Sequence, residues 1–100
     1  MNIEEINHLI ATKINGWIHN EGIFYVDASG FTCYGADYCN SIAHALDLAK
    51  AHGIGLKPVE TGWSAYQLDN DQVQGTDSLA SMAICLCLLA NLGIDTSINS

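Results

Sequence analysis

The sequence predicts a single α+β domain of order α-β-β-α-β-β-α, its two hairpins forming one four-stranded antiparallel sheet covered by helices, an α/β/α sandwich. Three observations predict it. Apolar residues recur at helical spacing in two amphipathic stretches and fill a third stretch almost completely. Aromatic and β-branched runs come in pairs folded about turn residues. Glycine stands where each helix should stop. One hundred residues fit one domain, 1–100, with a thin core.

The first helix is expected over Ile3 to Asn15. Asn2 can cap it, and Glu5 three residues on completes a capping-box pattern. Ile3, Ile6, Ile10, Ile14 and Trp17 form the apolar stripe, with Lys13 and Leu9 beside it, and Gly16 suits a left-handed stop. A hairpin follows, Ile23–Val26 against Phe31–Tyr34, with turn residues Asp27 to Gly30 between. The second helix runs from Ser41 to His52 and ends at Gly53. Ile42, Ala45, Leu46 and Ala49 are its expected buried stripe.

The second hairpin pairs Leu56–Thr61 with Trp63–Leu68 about Gly62. Pro58 has no N–H to give a ladder, which places its strand at a sheet edge. Asp69 to Gly75 reads as a polar loop leading to the third helix, Asp77 to Leu92, capped by Thr76 or Asp77 and closed by Gly93. Seventeen residues between Asp77 and Asp95 carry no charge. A membrane span needs about twenty and basic flanks, so the stretch reads as a central helix with one side left for a partner.

Charge is scarce and one-sided. Charged residues are 14% of the chain, against an average near 25%. Eleven carboxylates face three lysines, Lys13, Lys50 and Lys57, for a formal net charge of −8. That balance repels nucleic acid and anionic lipid, and without arginine there is no bidentate fork for phosphate or guanine. The acidic start Met1-Asn2-Ile3-Glu4-Glu5 lacks the basic region of a signal peptide. Four cysteines, with Cys85 and Cys87 in an apolar helical run, then read as thiols in a reducing, cytoplasmic setting.

Three segments carry a family resemblance. Ile10-Ala11-Thr12-Lys13-Ile14-Asn15-Gly16-Trp17 resembles the signature closing the first helix of the phage ABA-sandwich domain family. Tyr38-Cys39-Asn40-Ser41-Ile42-Ala43-His44-Ala45 is similar to that family's second helix start. Asp77-Ser78-Leu79-Ala80-Ser81-Met82-Ala83-Ile84-Cys85 is similar to the opening of its last helix. The segments fall in the family's order and span nearly the whole chain. The resemblance implies a layered α/β/α fold carried by phages and prophages, and it transfers no site residues. Leu86 stands where members often carry arginine, which makes this last helix more apolar.

Motifs for chemistry are sparse. Cys85 and Cys87 are two apart on a helix and point to different faces, and the histidines His8, His19, His44 and His52 form no ligand-spaced pair, so no metal site is expected. A calcium loop starting at Asp69 fails where Val73, Gln74 and Ala80 stand in place of an oxygen ligand, glycine and glutamate. Cys39 near a helix start is the one nucleophile candidate, but His44 five residues on is not within obvious reach. Phosphate-binding glycine loops and paired carboxylates are not found, so no catalytic residue and no cofactor is expected.

The expected function is therefore a small acidic phage or prophage protein that binds a host protein and modulates or inhibits it, for instance in counter-defence. Trp63, Tyr66, Asp69, Asp71, Leu79 and Leu86 are the candidate interface, suited to a basic partner. Trp63 and Tyr66 fall on different strand faces. Leu79 and Leu86 would also serve a homodimer through the last helix. The alternatives are an oligomeric small-molecule or nucleotide sponge and, last, a cysteine-dependent enzyme.

Overall fold

In the computed structural model, which describes residues 2–19, 24–27, 29–34, 37–94 and 96, helix α1 (Ile3–Leu9) begins where its cap predicts. Asn2 Oδ1 accepts from Glu5 N at 2.8 Å, filling one of the N–H groups a helix start leaves open. The chain then widens into a π-helical turn, Ile10–Ile14, in which Asn15 N donates to Ile10 O at 3.0 Å. Ile6, Ile10 and Ala11 are buried on this element. Gly16 leaves it at φ 74°, the expected left-handed stop.

The predicted first hairpin is present as β2 (Phe24–Val26) and β3 (Thr32–Tyr34). Asp27 Oδ1 ties its turn by accepting from Ser29 N and Phe31 N, each at 3.0 Å. The expected strand start at Ile23 and turn residue Ala28 lie outside the described residues. An unpredicted two-residue strand, β1 (Ile18–His19), pairs with β2 on its other side.

Helix α2 (Ile42–His52) is capped by Ser41 and ends at Gly53 in the left-handed conformation. Its buried side differs from the expected stripe. Ala45, Leu48 and Ala49 face inward, whereas Ile42 and Leu46 are 46% and 43% exposed. The helix is turned by about one residue, since Leu48 rather than Leu46 shares a face with Ala45 and Ala49.

Strands β4 (Ile54–Val59) and β5 (Gly62–Gln67) form the second hairpin, and Pro58 lies on the edge strand as expected. The presumed polar loop is instead strand β6 (Asn70–Asp77), antiparallel to β5 with a register break beside Gln67. The sequence therefore folds two three-stranded antiparallel sheets, β1-β2-β3 and β4-β5-β6, and not one four-stranded sheet. Each hairpin instead takes its third strand from the segment beside it, across a loop short enough to close cheaply. β1 and β3 take both sides of β2, β4 and β6 take both sides of β5, and α2 separates the two sets in sequence.

Helix α3 (Ala80–Asn91) is the central element, buried from Ser81 to Cys85 and from Cys87 to Leu89. Ala83 and Cys87 lie against β6, where Gly75 leaves no room for a side chain between strand and helix. On the opposite side Ser81 donates to Cys39 O at 2.6 Å, and α2 packs there. Being covered by a sheet on one side and by α2 and the π-helical turn on the other explains the nearly uncharged sequence. The layers are thus sheet, α3, then the other helices. The outer face of β4-β5-β6 carries Lys57, Tyr66, Gln74 and Thr76, of which all but Tyr66 are exposed. At the C-terminal end, Ile94 N donates to Leu89 O and Gly93 N to Ala90 O, a Schellman stop with Gly93 at φ 75°.

Candidate functional site

Two of the six predicted interface residues come together at one end of the second sheet. Trp63 lies across from Pro58 on β4 and Asp77 on β6. Leu79, two residues beyond Asp77, opens α3. Asp77 Oδ1 accepts from Leu79 N at 3.0 Å and stands in for the side-chain cap that Leu79 cannot supply. Trp63 is 38% and Leu79 49% exposed, so an indole and a leucine side chain flank a carboxylate at the surface.

The other four are dispersed. Asp69 and Asp71 are exposed at the opposite end of β5, in and after the turn to β6. The four residue steps from Trp63 to Gln67 alone span about 13 Å of strand. Tyr66 lies on the outer face, its ring over Gly55 and 5.6 Å from Lys57 Nζ. Leu86 is partly buried, packed against the core on the side of α3 that meets Gly75. Of the two leucines expected at the interface, Leu79 is exposed and Leu86 is not.

A polar knot joins α1, the segment 37–41 and α3. Asn7 Nδ2 donates to Asp37 Oδ1 at 2.9 Å, and Cys39 N donates to Asn7 Oδ1 at 3.1 Å. Asn40 Nδ2 donates to Asp37 Oδ2 at 2.9 Å. The hydrogen bonds from Asn40 and Asn7 hold the Asp37 carboxyl below its ordinary range. Cys39 and Cys85 are both fully buried in the same apolar cluster. The thiol of Cys85 supports a negative Cys39 sulfur and lowers its pKa, while that same contact and burial push Cys85 up. Burial likewise raises Cys87.

The proposed nucleophile pair is not assembled. His44 Nδ1 is bonded to Ser41 Oγ at 2.7 Å and its ring stands edge-on to Tyr38, at the exposed start of α2. Cys39 is turned into the core.

Two histidines that no sequence spacing relates do meet. The rings of His8 and His19 are 5.2 Å apart, and His8 Nδ1 is 3.0 Å from the hydroxyl of buried Tyr25. Trp17 packs at 6.0 Å on the other side of Tyr25. Pairing of β1 with β2 creates this cluster, and two residues are too few for a strand pattern to announce it. Among the described residues no three metal-ligating side chains converge. A groove on α1 is lined by Asn2, Glu4, Glu5, His8 and Leu9. Among the described residues no helix is long and apolar enough to cross a membrane.

The arrangement defines an α+β protein whose central helix is held between a sheet and two further helices. The same fold occurs in the 2.0 Å crystal structure of a phage protein from Bacillus cereus ATCC 14579. That protein is 19% identical, with a TM-score of 0.80 over 97% of this chain and 93% of its own. No protein-family model matches the chain, and no curated protein matches it.

Proposed function

We propose that this chain is a small acidic phage or prophage protein that binds a host protein and modulates or inhibits it, as in counter-defence. The observation that carries the reading is the pair of exposed side chains Trp63 and Leu79 beside half-buried Asp77, on a chain of net charge −8. Aromatic anchors beside apolar surface are what interface centres use, and the carboxylate favours a basic partner. The fold shared with a phage protein is consistent with the origin. The reading is non-catalytic and needs no cofactor.

A nucleotide sponge is less well supported, because Glu4 and Glu5 line the α1 groove and would repel an anionic ligand. The test is affinity measurement against the captured host protein. Trp63→Ser should weaken binding at least about tenfold, as loss of a buried aromatic anchor does. Binding unchanged in Trp63→Ser and in Leu79→Ser would reject this patch.

A further inference from the structure

We propose that Cys39 and Cys85 form a redox-sensitive disulfide pair, oxidised in the folded protein by small hydroperoxides.

The position of both sulfurs follows from contacts that fix the two backbones. Ser81 Oγ donates to Cys39 O at 2.6 Å, and Cys85 is one helical turn beyond Ser81 on the same face of α3. Asn7 Oδ1 holds Cys39 N at 3.1 Å from the other side. Cys85 is thereby aimed at Cys39, and both are 0% exposed in one apolar cluster. Cys87 supplies the contrast. Two residues along, it projects from the opposite side of the helix and its thiol donates to Val73 O at 3.5 Å.

Access lies beneath the first turn of α1. Cys39 Sγ is 4.0 Å from Ile3 O, and Ile3 itself is 42% exposed. Opening of that single turn admits a molecule of hydroperoxide size without global unfolding. Cys39, whose sulfur lies beside that turn, is the first of the two that a hydroperoxide reaches and so the first to react.

The chemistry balances in two steps. The Cys39 sulfur attacks a peroxide oxygen and the O–O bond breaks, giving a sulfenic acid and one water (an alcohol from an organic hydroperoxide). The Cys85 sulfur then attacks the sulfenic sulfur. The S–O bond breaks, the S–S bond forms, and a second water leaves with the Cys85 proton. Two thiols are oxidised and one peroxide is reduced. The bond ties α3 to the segment that precedes α2 and shortens the unfolded chain's freedom. The pair is independent of the binding patch, so either can fail without the other.

The test treats the folded, reduced full chain with hydrogen peroxide and reads intact mass and peptide maps. The expected product lacks two hydrogen atoms, carries a Cys39–Cys85 linked peptide, and reverts with a thiol reductant. Its Tm should rise by at least about 5 °C, as closing a long loop implies. Cys39→Ser and Cys85→Ser should each abolish the loss of two hydrogens. Should a serine variant fail to fold, the wild-type map still decides. Free Cys39 and Cys85 after a treatment that oxidises an added thiol peptide would overturn the proposal. So would linkage through Cys33 or Cys87, or linkage that forms only in denaturant.

Discussion

At Gly75 the backbone of β6 rests directly on α3. A β carbon there would collide with Cys87 N and come within 2.6 Å of Ala83 O, both backbone atoms that cannot rotate aside. Gly75→Ala should therefore cost about 3 kcal/mol in denaturant unfolding. Gly55→Ala meets only the Tyr66 ring, which can swing outward, and should cost about 1 kcal/mol or less. Asp37 gives a pH prediction. Its folded pKa is depressed, first by Asn40 and then by Asn7. A depressed carboxyl contributes stability that is full above its unfolded value, ordinarily 3.8, and is lost as pH falls through the folded value. Solvent screens this largely exposed group, so the contribution is at most about 1 kcal/mol. Asp37→Asn should be slightly less stable at neutral pH and should flatten the loss of stability below about pH 4, both read by acid titration of unfolding. The roles of Asn2, Gly16, Gly53 and Gly93 were legible in the sequence because caps and left-handed stops are local. The hydrogen bonds that join Asn7 with Asp37 and Cys39 were not, because they link positions about thirty apart.

At the scale of the element, α2 separates its leucines cleanly. Leu48 is 7% exposed and Leu46 43%, so Leu48→Ala should cost about 3 kcal/mol and Leu46→Ala about 0.5 kcal/mol. A larger effect at Leu46 than at Leu48 in thermal unfolding would mean the helix is turned the other way. The sequence left this ambiguous, because apolar residues at 42, 45, 46, 48 and 49 suit two overlapping stripes. Strand β6 was illegible for a different reason. Asn70–Asp77 has one large apolar residue, Val73, and its tightest contact with α3 is made by a glycine, so no alternation appears. The edge position of β4 was readable from Pro58 alone. Leu86 now belongs to the packing of α3 on β6. Leu86→Arg should lower the unfolding free energy by about 2 kcal/mol, whatever its effect on assembly measured by light scattering.

Over the whole molecule, the uncharged sequence of α3 and the excess of carboxylates are two sides of one division. A chain with 14% charged residues spends none within α3, and its eleven carboxylates outnumber three lysines. The field that results attracts cationic surfaces from a distance and weakens as salt rises. The interface residues expected from the sequence do not form one surface, since pairing of β5 with β6 sends Trp63 and Asp69 to opposite ends of a strand. Native mass spectrometry of the tagged protein recovered from bacterial host lysate tests the interaction reading most directly. A stoichiometric complex with one basic host protein, present at low salt, depleted near 0.5 M salt and lost with Trp63→Ser, is the predicted result. Recovery of the chain only as a monomer or homo-oligomer, or of a complex indifferent to both salt and Trp63, would contradict it.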